Sequence, residues 1–336
     1  MKFNLVNPKF HSRPTTEKDA EQVAALLNLC SQELIGKDEF SADELRNDWQ
    51  TPGFNLTSDS VMIFNDQDKF IAYGDVWGAS EPYTRIYSWV RVHPDFRGLG
   101  LGTALNEWTA TRAGEIAKKA PDGVQVVLNS FVNRRDKAAV DLLENLGFLP
   151  ARYSWIMEID LNREIESVSL PEGFNLRIVK KDEYDQIYQL NRDAFKDHWG
   201  YIETPFEEGY RVFLNQMVDD PFYNPDFWYV VEHQGTKVGM VINSPACSYG
   251  ENYGWLHLVG VRREWRKQGL GKALILHSFN ELKKAGCSFA GLSVDSQSLT
   301  GATRLYEDVG METKEVYVRF EKMIRDGEDL RTTDLT

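Results

Sequence analysis

Val261-Arg262-Arg263-Glu264-Trp265-Arg266-Lys267-Gln268-Gly269-Leu270-Gly271 decides how this chain is read, because Val92-His93-Pro94-Asp95-Phe96-Arg97-Gly98-Leu99-Gly100-Leu101-Gly102 carries the same pattern 169 positions earlier. Arg97 answers Arg266, Gly100 answers Gly269 and Gly102 answers Gly271. Further on, Leu146-Gly147-Phe148 is matched by Val309-Gly310-Met311, now 163 positions away. Self-similarity on this scale reads as one structural unit present twice. That accounts for 336 residues, about twice a typical single domain.

Outward from the second motif, Trp255 to Val261 reads as an apolar strand entering the loop, and Lys272 to Ala285 as a helix ended by Gly286. Phe289 to Val294 is expected to be a buried strand, Gly301 to Asp308 a short helix and Val316 to Glu321 a closing strand. Upstream lie an opening strand at Phe174 to Val179, a helix over Lys181 to Phe195, and strands at Phe227 to Glu232 and Lys237 to Asn243. The first copy keeps this order: a helix over Lys18 to Glu33, strands at Val61 to Phe64, Phe70 to Val76 and Arg85 to Val92, and a helix from Leu101 to Lys119. Val124 to Leu128, the helix Lys137 to Leu146 and Tyr153 to Ile159 complete it. Asp160 to Gly173 is polar, carries Pro171-Glu172-Gly173 and reads as the linker, so the expected domains are residues 1–160 and 171–326.

Composition narrows the function. Hydrophobic residues at 42% and charged residues at 26% describe a packed globular protein. A net charge of −13 repels phosphate backbones and anionic membranes, so neither nucleic acid nor membrane is expected as partner. Cys30, Cys247 and Cys287 are far apart and form no C-x-x-C pair, which points to no metal and to a reduced, cytoplasmic setting. Met1 to Asn7 lacks the apolar run of a signal peptide.

In the loop, glycines at 269 and 271 free backbone N–H groups to face one cavity where a helix N-terminus adds partial positive charge, the ingredients of a pyrophosphate cradle. Arg266 and Lys267 are expected to add side-chain charge. Gly-rich turns before helices also serve packing alone. Finding this one twice, at the same place in a repeated unit, favours the cradle.

The two R-x-x-G-x-G loops, Arg97 to Gly102 and Arg266 to Gly271, follow strands ending Val90-Arg91-Val92 and Val259-Gly260-Val261. With Ala302-Thr303-Arg304-Leu305-Tyr306-Glu307-Asp308-Val309-Gly310-Met311 they make the chain resemble the GNAT superfamily of acyl-CoA-dependent N-acetyltransferases in tandem, from about Arg13 to about Lys322. Met311 stands where that element usually has Phe. Among tandem members the likeness is to the mycothiol synthases, to which Ala194-Phe195-Lys196-Asp197-His198-Trp199-Gly200 adds.

The resemblance implies an α/β (α+β) fold of two tandem domains, each a mixed, mostly antiparallel sheet flanked by helices, with acetyl-CoA as donor. It gives the backbone of Leu258, Val259 and Val261 to the pantetheine arm and acetyl carbonyl. It gives Arg266, Lys267, Gln268, Gly269, Leu270 and Gly271 to the pyrophosphate, with Arg97, Gly98, Gly100 and Gly102 as the first copy's equivalents. Tyr306 becomes the general acid toward the departing thiolate. The first copy reads Leu143 at that position and lacks the acid, so residues 1–160 are expected to be catalytically degenerate.

A base is also needed, since an ammonium must lose a proton before its nitrogen attacks. Mycothiol synthases use a glutamate on the strand before the loop, and by register this chain has Trp255 there. His257, two residues on and so expected on the same strand face, has an ordinary pKa near 6.5 suited to the task. Glu251 at the strand entrance is the other candidate, acting through water. Trp199, Tyr201, Glu203, Glu207 and Glu208 follow the first helix of the second copy and are expected to overhang the acceptor, favouring a small-molecule or peptide amine. The competing reading is a non-catalytic acyl-CoA-binding or sensing protein. Acceptor identity and oligomeric state leave no mark on the sequence.

Overall fold

A computed structural model describes residues 9–167, 169–298 and 301–333. The stretch Met1 to Asn7 lies outside them. The chain packs as two compact units: residues 1–152 with 204–221 and 317–330, and residues 153–203 with 222–316 and 331–336.

The first unit opens with β1 (Phe10–Arg13), α1 (Ala20–Ile35), α2 (Ala42–Asp48) and the short α3 (Leu56–Asp59). Three antiparallel strands follow, β2 (Ser60–Asn65), β3 (Phe70–Trp77) and β4 (Arg85–Val92). Then come α4 (Leu101–Ile116), β5 (Val126–Asn133), which pairs parallel with β4, and α5 (Lys137–Asn145). Leu101, Leu105, Trp108 and Ile116 of α4 bury one sheet face against Ile71, Ile86 and Leu128, while Val23, Leu26 and Leu27 of α1 cover the other at Met62 and Tyr73.

β6 (Leu149–Asp160) leads into the second unit, which continues with β7 (Phe174–Ile178) and α6 (Tyr184–Phe195). The chain returns to the first unit as α7 (Phe206–Met217), where the Asn215 side chain bonds Asn47 and Thr51. It then completes the second unit with β8 (Trp228–His233), β9 (Thr236–Ser244), β10 (Tyr253–Val261), α8 (Leu270–Lys284), β11 (Phe289–Asp295) and α9 (Ala302–Asp308). Ile275, Leu276, Phe279 and Leu282 of α8 bury against Leu256, Ala290 and Leu292. β12 (Glu312–Arg325) closes the chain.

Both units thus have the expected mixed, mostly antiparallel sheet with helices on its faces. Their boundaries differ from residues 1–160 and 171–326, and the closing strands are the reason. β6, last strand of the first copy, pairs along residues 154–160 with β11 of the second unit. Residues 317–325 of β12, last strand of the second copy, pair with β5 of the first. Each sheet is completed by the other copy's final strand. Of Asp160 to Gly173, the expected linker, Asp160 ends β6, and the others carry neither helix nor strand where described.

Candidate active site

The two glycine loops share a backbone conformation. Gly100 and Gly269 cap α4 and α8 at φ 80° and 82°, and the residues two positions earlier, Gly98 and Lys267, are left-handed too at 76° and 63°. A non-glycine residue there is uncommon. A Cβ built on Gly100 or Gly269 would meet nothing within 4 Å, so both N-terminal turns face open space. The last glycine of each motif does a different job, since a Cβ on Gly271 would press Leu305 of α9 at 3.1 Å and one on Gly102 would press Leu142 of α5 at 2.9 Å. These glycines let the short helix close on the long one.

Arg266 departs from its expected role. Its guanidinium grips Asp197 with two charge-assisted bonds of 2.6 and 2.9 Å, donates to the Ala194 carbonyl at 2.7 Å, and through Nε to the Val261 carbonyl at 3.1 Å. The side chain ties the end of β10 to the end of α6 and its charge is already compensated. The backbone amides, the helix terminus and the Lys267 side chain remain at the loop for an anion. Arg97 forms the looser contact, an ion pair with Glu33 at 2.7 Å in which both side chains are more than a third exposed.

The parallel ladder between β10 and β11 is short. It runs from Tyr253↔Phe289 to Trp255↔Gly291 and stops, although both strands continue. At that point β10 bulges: Leu256 and Leu258 oppose consecutive residues of β9, leaving His257 as the extra one. β10 has nine residues and β4 eight, and β4 pairs with β3 without a break while its ladder with β5 extends to Ser88↔Ser130. The opening between central strands therefore starts sooner in the second copy. Ser293, just past the buried run Ala290 to Leu292 of β11, is exposed there.

The candidate base residues fare differently from expectation. The bulge voids the two-residue face argument, yet His257 Nε2 does reach Ser244 Oγ at 2.9 Å, and Ser244 is the β9 partner of Trp255. Burial pulls the imidazole down to about 4, so it is neutral and a weak proton acceptor at pH 7. Glu251 lies exposed in the turn before β10, six residues along the chain from the bulge. Nor do the acidic residues gather. Glu203 binds Arg192 and the Tyr201 hydroxyl, Trp199 stacks under Arg331, and Glu207 and Glu208 sit on α7 in the first unit, where Glu208 accepts from the Glu81 amide.

Tyr306 lies on α9, its ring packed among Leu256, Leu292 and Phe279. Its hydroxyl makes no hydrogen bond among the described residues, and burial pushes it up to about 12, so it holds its proton. Leu143 fills the matching place in α5 and is buried among Leu101, Leu105 and Phe148.

Sequence reasoning passed over a row of side chains beside the opening. Trp255, Gly291 and Glu158 are register partners across β10, β11 and β6 and so share one sheet face. Tyr253 donates to Glu158 at 2.7 Å and packs with Tyr249, Trp255 and Phe289. Glu158 belongs by sequence to the first copy, which hid its place. Among the described residues no group of three or more His, Cys, Asp or Glu is placed to hold a metal ion, and no helix is long and apolar enough to cross a membrane.

A sequence model of the Acetyltransferase (GNAT) family matches residues 21–148 and again 184–311. The chain is 30% identical over 223 residues to the mycothiol acetyltransferase of Thermobispora bispora, covering 65% of this chain and 70% of that one. Among solved structures, a GCN5-related N-acetyltransferase from Sphaerobacter thermophilus superposes with a TM-score of 0.81 at 31% identity, covering 98% of this chain and 100% of that one. A tandem GNAT protein from the clavulanic acid biosynthesis pathway shares the fold, with a TM-score of 0.70 at 15% identity over 95% of this chain and 100% of its own.

Proposed function

The chain belongs to the acetyltransferase (GNAT) family and is an N-acetyltransferase, and on that footing we propose that its C-terminal copy moves acetyl from acetyl-CoA to a primary amine by direct attack. One observation carries this assignment to one copy: the bulge at His257, the early parting of β10 from β11 and the unbonded Tyr306 hydroxyl occur together in the second copy, and none has a counterpart in the first.

The residues present fit the donor. At the α8 N-terminus a Cβ on Gly269 would meet nothing within 4 Å, which leaves room there for a pyrophosphate. Leu258 and Val259 follow the last β11 partner of β10, so on that side their backbone is open to an extended pantetheine arm, while the Val261 carbonyl is held by Arg266. Acetyl-CoA supplies a thioester, whose carbonyl carbon is the electrophile. Tyr306 keeps a proton for the departing sulfur. A phenol pushed to about 12 is a weaker acid than a thiol of pKa about 8 to 9, so it shares its proton only as negative charge develops on sulfur.

A binding-only role suits the N-terminal copy alone. Its loop repeats the left-handed glycines, but β4 is unbroken and Leu143 has no proton to give. The test is incubation of the purified chain with acetyl-CoA and four classes of acceptor: an aliphatic amine, an aminoglycoside, an amino-thiol and a peptide N-terminus. CoA is separated by chromatography and the product weighed by mass spectrometry. An N-acetylated product is expected from at least one class; none from any would overturn the reading.

A further inference from the structure

With His257 neutral and bonded to Ser244, and Glu251 exposed in the turn before β10, the second unit needs another proton acceptor near the parting of β10 and β11. Trp255↔Gly291 is the last rung of that ladder, and Gly291 is in register with Glu158. The carboxylate therefore stands two strands, about 10 Å between Cα atoms, from Trp255 and on the same face. Glycine between them leaves no side chain in the way: a Cβ at 291 would collide with the Tyr253 and Trp255 rings at 2.8 to 2.9 Å, so those rings lean over it toward Glu158. The exposed Ser293 lies two residues further along β11 on this same face, so the row borders the cleft.

The first unit provides a control. Tyr87, Asn129 and Glu321 form its equivalent row, Glu321 lying 163 positions after Glu158. There the middle position carries a side chain, Asn129, which donates to the Ile86 carbonyl at 3.0 Å, and Glu321 is paired with Arg319 at 3.0 Å. The second unit sets its glutamate against a phenol and clears the middle of the row.

We propose that Glu158, carried on the closing strand of the N-terminal copy, pairs with the acceptor ammonium in the C-terminal unit and accepts its proton. Tyr253 is a positioning residue that holds the carboxylate by its 2.7 Å hydrogen bond. The proposal rests on the acetyl-transfer reading. Glu158 takes one proton from R–NH3+; the freed lone pair forms the C–N bond as the C–S bond breaks. The thiolate is protonated through Tyr306, which recovers a proton from the newly acylated nitrogen, and Glu158 returns its own to solvent. Lys314 is a cation that feels Glu158, and Tyr249 and Cys247 are titratable groups beside Tyr253. Asp160 lies further along β6 and Asp295 further along β11 on this face. The proposal also gives the degenerate copy a reason to persist, since its last strand supplies a working residue.

The experiment is the pH profile of kcat/KM for the best acceptor of the panel, measured on the full chain, on Glu158→Gln and on Tyr253→Phe. Melting temperature and acetyl-CoA affinity are measured alongside. Glu158→Gln is expected to lose about 10²-fold or more at pH 7. The deficit should narrow by up to about tenfold per pH unit toward the acceptor's own pKa, as free amine replaces ammonium, with acetyl-CoA affinity unchanged. Tyr253→Phe should lose less and keep the parent's profile shape. A Glu158→Gln profile parallel to the parent's, whatever its melting temperature, would overturn the proposal and leave the acetyl-transfer reading standing. Absence of turnover by the unsubstituted chain with every acceptor would overturn both.

Discussion

Arg266 and Asp197 meet through both guanidinium Nη atoms and both carboxylate oxygens, with the Asp197 side chain 8% exposed and that of Arg266 23%. A nearly buried charge pair is costly to break from one side, because the remaining charge has no water to turn to. Arg266→Ala is therefore expected to destabilise the chain by about 3 kcal/mol in denaturant unfolding, and Arg97→Ala by less than about 1 kcal/mol because the Arg97–Glu33 pair is exposed. Equal losses would contradict the clamp.

Gly269→Asp and Gly100→Asp place a carboxylate where each loop faces open space. Each costs about 1–2 kcal/mol for a left-handed side chain, partly offset by the helix terminus, so both variants should fold. Turnover should collapse in Gly269→Asp and survive in Gly100→Asp. Similar turnover in the two would contradict a single active copy.

His257 is held at about 4 by burial, against about 6.5 in an unfolded chain. Below pH 6.5 the unfolded state takes up a proton that the folded state refuses, so stability is intact above 6.5 and falls as pH drops toward 4, by on the order of 3 kcal/mol. His257→Leu should flatten that part of the stability curve, and its effect on turnover should not depend on pH. A turnover defect that shrinks with rising pH would restore His257 as the base.

Asp75, enclosed in the first unit, accepts from the Tyr73 hydroxyl, and burial pushes its carboxyl up to about 7. Here the folded state holds the proton more tightly than the unfolded one, so the group's contribution is present in acid and is lost as pH rises from about 3.9 to 7. Asp75→Asn should gain melting temperature over the parent as pH goes from 5 to 8. A constant difference across that range would contradict the shift.

The repeat, the loops and the order of strands and helices were legible because glycine spacing and apolar periodicity are local. The loops' left-handed glycines and the α8 core follow from them directly. Three things were not. The bulge at His257 adds one residue to β10, which a single strand's pattern cannot register against its partner. The exchange of β6 and β12 is a matter of which ladder each strand joins, so Glu158 read only as a residue of the first copy's closing strand. Helix α7 left no clear signal, and Glu207 and Glu208 were misplaced with it, because Phe206–Met217 packs in the first unit although it lies in the second copy. Arg266 was legible as important but not as a strut, since Asp197 is 69 residues away.

Transfer in the second copy with Tyr306 as proton donor stands or falls with Tyr306→Phe, since the ring and its packing stay while the hydroxyl goes. Steady-state turnover with the best acceptor and calorimetric affinity for acetyl-CoA are to be measured on the same preparation. Turnover is expected to fall by about 10²- to 10⁴-fold, with donor affinity unchanged and no recovery at higher pH. Full turnover by Tyr306→Phe would show that the thiolate leaves without this proton.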